Sequence, residues 1–205
     1  MCPARVILAR HAESEDNVAS TLSAAVPGRD LTERGREQAT ALAESLRQDA
    51  VSHIYASPLT RARQTAEIVA AHTGAAITVL ADLREFSLGV HEGGEREHVV
   101  GSIDEAFFAW LLDGDLDRRI DGGESGREVL ERFAAAMSDI ADLNRGQCVL
   151  VVSHGGTLSL GLTALCANLR PTFVRDHPLH NAARVDAEYD GDGWRVRRWC
   201  GHELG

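Results

Sequence analysis

The sequence predicts an α/β fold in three layers: a mostly parallel central sheet with helices on both faces, an antiparallel edge, and a helical and loop insertion over the C-terminal edge of the sheet. Three observations carry that prediction. Short apolar runs with little polar alternation recur, among them "RVILA" and "CVLVVS", as in strands buried on both faces. Stretches of helical apolar spacing alternate with those runs. The stretch "ARVDAEYDGDGWRVRRW" alternates around Asp190 to Gly193, the pattern of a β-hairpin at an edge.

Along the chain, residues 5–9 form the first predicted strand. A helix over about residues 32–48 places Leu42, Ala43 and Leu46 on one face, with Thr32 as N-cap and Arg34, Gly35 and Arg36 in its first turn. "SHIYAS" is the second strand, "LTRARQTAEIVAAHTG" a helix closed by Gly74, and "AAITVL" the third strand. From about 83 to 123 regularity falls away into Gly, Asp, Glu and aromatic residues, although "SIDEAFFAWLLDG" keeps helical spacing. A long helix over about 124–144, the strand "CVLVVS", and a helix opened by a glycine pair precede the hairpin. The 205 residues are expected to form a single domain, 1–205, with the irregular stretch at about 83–123 as a cap-like insertion.

Composition bounds the function. With 44% hydrophobic and 25% charged residues, the chain is that of an ordinary soluble globular protein. Its apolar runs are too short to cross a bilayer and no signal-like segment is present, so the expected location is the cytoplasm. A formal net charge of −10 argues against nucleic-acid or acidic-membrane partners, which need a basic face. All 21 basic residues are arginine. That excludes lysine chemistry and leaves the planar guanidinium, suited to bidentate phosphate or carboxylate recognition, as the only permanent side-chain cation. Cys2, Cys148, Cys166 and Cys200 show no metal-ligand spacing; Cys148 and Cys166 lie in apolar stretches and are expected to fill core.

Two predicted strands end alike. "VILA" runs into Arg10 and His11, and "CVLVV" runs into Ser153, His154, Gly155 and Gly156. "HIYA" ends in Ser57 and Pro58 and leads into a helix carrying Arg61. In a parallel sheet these ends meet at one edge, outside the carboxyl ends of the strands, where such folds place their sites. Cations and imidazoles grouped there repel one another unless an anion joins them, and a phosphate fits. Helix N-termini after Ser57 and Gly156 add N–H donors, and Gly155 and Gly156 allow close backbone approach. "DHPLHN" brings Asp176, His177 and His180 together, but Pro178 interrupts any helical metal spacing and the stretch is expected to be a loop.

These residues resemble the histidine phosphatase superfamily, its phosphoglycerate-mutase-like branch of small phosphatases, over nearly the whole chain. "ARHAESEDN", "LTERGREQA", "YASPLTRARQTAE", "LREFSLGVHEG", "GGESGREVLERF" and "VVSHGG" are similar, in order, to six of that family's motifs. The resemblance implies that His11 attacks phosphorus to form a phosphohistidine, with Arg10, Arg61 and His154 neutralising the phosphoryl oxygens. Glu85 is implied as general acid and then base. Arg10, Asn17, Arg61, Ser14 and Gly155 are the implied substrate-binding set, and neither a metal nor an organic cofactor is implied. On chemical grounds His11 must be neutral to attack, His154 serves best charged, and Glu85 must be protonated in the resting complex.

Two positions depart from the family pattern. Ala12 replaces a glycine, a methyl expected to narrow the backbone approach, and His91 replaces a tryptophan at the expected pocket rim. Phe107, Phe108 and Trp110 are candidates for the pocket wall or the core, and Arg118 and Arg119 for a second anion or a solvated face. The expected function is a metal-independent phosphatase for a small soluble phosphomonoester. The alternatives are a phosphoglycerate-type mutase, a protein phosphohistidine phosphatase and a non-catalytic phosphate-ligand sensor. The partner is then a small phosphorylated metabolite; substrate identity and oligomeric state, a homodimer among the options, stay open.

Overall fold

The computed structural model describes residues 3–205, and Cys2 lies outside them. In chain order the elements are β1 (Ala4–Arg10), α1 (Glu15–Val18), α2 (Glu33–Ser45), β2 (Val51–Ala56), α3 (Thr60–Thr73), β3 (Ala76–Val79), α4 (Arg96–Phe108), α5 (Gly126–Leu143), β4 (Cys148–Ser153), α6 (Gly155–Leu165), α7 (Pro171–Asp176), β5 (Arg184–Tyr189), β6 (Trp194–Trp199) and β7 (His202–Glu203). The sheet order is β3-β2-β4-β1-β5-β6-β7. The first four of these strands run parallel, and β5, β6 and β7 add the antiparallel edge.

The central strands are apolar on both sides along their middles because both faces are covered, with polar residues towards their ends: Arg5 and Arg10 in β1, Ser52 and His53 in β2, and Ser153 in β4. Side chains alternate sides along a strand. Val6 and Leu8 of β1 therefore join Val149 and Val151 of β4 against Phe133, Met137 and Ile140 of α5. Ile7 and Ala9 join Leu150 and Val152 against α2 and α3 through Leu42, Ala62 and Val69. Cys148 and Cys166 fill core, as expected.

Register decides where the chemistry lies. Arg10 of β1 pairs with Ser153 of β4, and Ala56 of β2 pairs with Val152. The His11 N–H donates to Ser153 O (2.9 Å) and the Ser57 N–H to Val152 O (2.9 Å). The next residues of all three strands consequently leave the sheet at one edge.

Helix limits hold where a local cap sets them. Thr32 accepts from the Gly35 N–H at 2.9 Å, and Gly74 closes α3 in the left-handed region at φ 75°. The insertion is more helical than expected: α4 begins at Arg96, ahead of the predicted stretch, and ends in a π-helical turn over Ala109–Asp113. The short α1 and α7 were not predicted. Neither carries the long apolar periodicity that marks a helix in sequence, and α7 starts on Pro171 at its first position. Among the described residues, no helix is long and apolar enough to cross a membrane.

Candidate active site

One cavity of about 370 Å³ opens at that sheet edge. Arg10, His11, Asn17, Arg61, Glu85 and Gly155 line one end of it. The sequence expectation that these residues converge is therefore met by the geometry.

His11 is 3% exposed. Its Nδ1 lies 2.7 Å from Ala12 O, a carbonyl that only accepts, so Nδ1 carries the hydrogen and Nε2 keeps its lone pair. Arg61 Nε donates into that lone pair at 3.0 Å. Burial first, then the charges of Arg61 and Arg10, push the His11 pKa well below its ordinary value of 6.5. The nucleophile expected from sequence is thus held neutral.

His154 departs from its expected role in two respects. It is fully buried and does not line the cavity: Arg61 Nη2 approaches its Nδ1 at 3.4 Å, and its Nε2 lies 2.7 Å from Ser57 Oγ. In the free site its protonated form is also disfavoured. Burial, then Arg61, His11 and Arg10, lower its pKa well below 6.5. Its contact with the site runs through Arg61 and through His11, whose ring centroid is 5.1 Å away.

The two arginines are built in as anion donors. Arg61 is 4% exposed; Nη2 donates to Ser23 O (2.9 Å), and Nη1 faces Asp16 Oδ2 at 3.6 Å, beyond hydrogen-bond reach. Asp16 is shared with Arg29 Nε at 3.2 Å. Arg10 Nη1 donates to Leu179 O at 2.7 Å, while its Nε is buried without a hydrogen-bond partner. Burial lowers the pKa of both guanidiniums, Glu85 opposing it. Buried donors left unpaired are costly.

Asn17 Oδ1 accepts from Ser14 N (3.1 Å), Ser14 Oγ (3.3 Å) and Asn181 Nδ2 (3.1 Å), so its own amide hydrogens are free for the cavity. Ser14 is therefore corrected from ligand contact to support: it is fully buried, does not line the cavity and is spent on Asn17. Gly155 does line it, close to Arg10, whose Nε lies 3.5 Å from where a Gly155 Cβ would stand. The Gly156 N–H, expected on phosphate, is instead spent on Glu85.

Glu85 is held at the N-terminus of α6. Oε2 accepts from Gly156 N (3.0 Å), and Oε1 accepts from Thr157 N (2.8 Å) and Thr157 Oγ1 (2.9 Å). Glycine is required at 156 because a Cβ there would stand 2.2 Å from Phe86 and 3.0 Å from Glu85 Oε1. Behind this loop, buried Glu124 accepts from Arg84 Nη2 (2.9 Å), Ser87 N (2.8 Å) and Arg132 Nε (2.9 Å). Arg132 also donates to the carbonyls of Asp82 and Arg84. The residues flanking Glu85 are thereby clamped. Glu124 was visible only inside the quoted "GGES" motif, and Thr157 and Asp16 carried no separate signal.

Further expectations are settled by placement. The Ala12 methyl packs with Leu31 and Ala39 in a small core cluster and narrows nothing in the cavity, and the Ala12 N–H donates to Thr65 Oγ1. His91 does not line the cavity either; its neighbour Glu92 accepts from the N–H groups of Ala24 and Ala25. Phe107 and Phe108 are wall, whereas Trp110 is core at 2% exposed. Arg118 and Arg119 pair with Glu105 and Glu128 at the surface. Asp176 ends α7 and His177 stacks on Phe173, and among the described residues no group of three or more His, Cys, Asp or Glu is placed to hold a metal.

The profile of the histidine phosphatase superfamily (branch 1) matches residues 6–201. The chain belongs to that family. It is 33% identical over 199 residues to a protein of Salmonella choleraesuis (strain SC-B67) named "Probable phosphoglycerate mutase GpmB", covering 95% of this chain and 89% of that one. The mycobacterial glucosyl-3-phosphoglycerate phosphatase structure superposes with a TM-score of 0.79 at 26% identity, covering 98% of this chain and 100% of that one. The alpha-ribazole phosphatase of Shigella flexneri has a TM-score of 0.78 at 24% identity, with 98% of each chain covered, and shows the shared fold alone. The family thus holds proteins named as phosphatases and as mutases.

Proposed function

We propose that this member of the superfamily is a phosphatase that hydrolyses a small soluble phosphomonoester through a phosphohistidine on His11 Nε2, with no metal or organic cofactor. The observation that carries the reading is the state of His11: a neutral imidazole whose Nε2 lone pair meets Arg61 Nε, lining one cavity with Arg10, Asn17 and Glu85. Nucleophile, charge neutralisation and proton carrier are all side chains of this chain.

An arriving phosphoryl oxygen takes the Arg61 Nε hydrogen bond from His11 and frees the lone pair. Nε2 then forms the N–P bond as the ester P–O bond breaks, and the leaving oxygen keeps the electron pair and accepts a proton from Glu85. Arg10, Arg61 and the Asn17 amide hold the phosphoryl oxygens, while the Ala12 carbonyl faces the imidazole as it gains positive charge. In the second half, water gives a proton to the Glu85 carboxylate as its oxygen bonds to phosphorus. The P–N bond breaks and its electron pair returns to Nε2. His154 acts behind the site by setting the Arg61 guanidinium.

The test is phosphate release in chelator-treated buffer over sugar phosphates, phosphoglycerates, nucleotides and vitamin-precursor phosphates, beside His11→Ala. Release that falls by at least about 10³-fold in the variant is expected. Full release by His11→Ala overturns the reading, and phosphoglycerate isomerisation primed by a bisphosphate, without net phosphate release, replaces it with a mutase.

A further inference from the structure

The cavity also has a lining outside the catalytic set, on α4. Val100, Ile103, Asp104, Phe107 and Phe108 of α4 all line it. Their spacing places them on one face of the helix, so Asp104 stands between Val100 and Phe108, one turn from each. Phe86 also lines the cavity and stacks on Phe107 with ring centroids 5.9 Å apart, extending the same apolar wall. Phe108 keeps 38% of its surface exposed.

Within this apolar wall Asp104 is half-buried, and among the described residues no hydrogen bond or ion pair reaches it. Arg96, two turns earlier on the same helix, acts on it only at longer range and is itself exposed. Burial raises the Asp104 pKa, with Arg96 working against it. A carboxylate partly removed from water beside aromatic rings costs free energy unless a donor or cation meets it. Arg96, which also lines the cavity, meets that need only at longer range, and among the described residues no protein group hydrogen-bonds the carboxylate. Phosphoryl recognition does not need this residue either, since a carboxylate repels that anion.

Resting on the phosphatase reading, we propose that Asp104 is a specificity-determining residue. The alcohol part of the substrate then carries an apolar ring body against α4 and a hydrogen-bond donor, hydroxyl or ammonium, that reaches the Asp104 carboxylate. Acidic alcohols, phosphoglycerates among them, are disfavoured. The apolar wall grips the ring through area, and Asp104 adds a requirement at one point of it. A site that must satisfy a buried polar group discriminates far more sharply than an apolar pocket does.

The experiment measures kcat/KM for benzyl phosphate, its 4-aminomethyl, 4-hydroxymethyl and 4-carboxy derivatives, and glycerol phosphate, on the wild type and Asp104→Asn. All are esters of primary alcohols, so leaving-group reactivity stays matched. We expect benzyl phosphate to exceed glycerol phosphate, and the aminomethyl or hydroxymethyl ester to exceed the carboxy ester by at least about tenfold. Whichever of those two leads identifies the donor. In Asp104→Asn the ratio to the carboxy ester is expected to shrink to within about threefold. A wild-type ratio near one, a preference for the carboxy ester, a ratio unchanged by the substitution, or glycerol phosphate matching benzyl phosphate overturns this proposal while leaving the phosphatase reading in place. Absence of turnover with every one of these esters overturns this proposal, and overturns the phosphatase reading as well only where the metabolite panel beside His11→Ala also releases no phosphate.

Discussion

Mild acid is expected to destabilise the free protein through His11 and His154. Both imidazoles are held neutral, by burial first and then by Arg61 and other neighbouring cations and imidazole, with pKa values pushed well below 6.5. In the unfolded chain each titrates near that ordinary value. Above pH 6.5 neither state takes up a proton there, and the stability is fully present. Below it the unfolded chain gains two protons that the folded site refuses, so stability falls with pH until the folded values are reached. Between pH 6 and pH 5 the linkage amounts to at most about 1.2 kcal/mol per histidine, or about 2.4 kcal/mol for the pair. For a chain of this length that is roughly 5–10 °C in Tm.

Thermal unfolding in phosphate-free buffers at pH 7, 6 and 5 measures it. Glu124, the buried carboxylate whose pKa is lowered from 4.5, titrates below that window and leaves it clean. His11→Asn is expected to halve the pH slope, whatever it does to Tm at pH 7, and the double variant with His154→Asn to abolish the two-proton component. A saturating oxyanion supplies the missing counter-charge and flattens the wild-type slope. An equal slope in wild type and double variant refutes the reasoning, because the uptake would then belong to other groups.

Two substitutions test the support of Glu85. Gly156→Ala drives a methyl against Phe86 and Glu85; it is expected to cost about 1–3 kcal/mol by overpacking and to lower kcat by at least about tenfold, read by denaturant unfolding and single-turnover phosphate release. Glu124→Gln leaves Arg132, whose side chain is 8% exposed, without its counter-charge. That is expected to cost about 3 kcal/mol and roughly 6–12 °C in Tm, with kcat falling more than KM changes because Arg84 and Ser87 flank the acid. A Tm within about a degree of wild type would refute the clamp.

The amino-acid sequence by itself determined the central strands, the helices over them and the meeting of Arg10, His11, Arg61, His154 and Gly155 at one sheet edge; Glu85 joined them only through the family resemblance. Those features are local or periodic. A run such as "CVLVV" is apolar at every position because both its faces are covered, Thr32 and Gly74 mark helix ends through bonds to their own neighbours, and the residue following a buried strand must emerge at the sheet edge. The family motifs added the roles that spacing alone does not assign.

Only the tertiary structure decided how the polar groups are divided among themselves. Ser14 stands in the same motif as His11, yet it serves Asn17. The Gly156 N–H looks equally suited to phosphate and to carboxylate in sequence; the packing of the Glu85 loop gives it to the carboxylate. His154 was expected charged because an imidazole beside a phosphate gains from charge, but burial behind Arg61 holds it neutral. Asp104 sits in a helical stretch whose apolar spacing reads as ordinary core, and nothing in that spacing says that the helix turns this face to the cavity. The places of the Gly156 N–H and of His154 depend on which donor reaches which acceptor across more than 50 residues of chain, a matter of distance and desolvation that residue order does not encode locally.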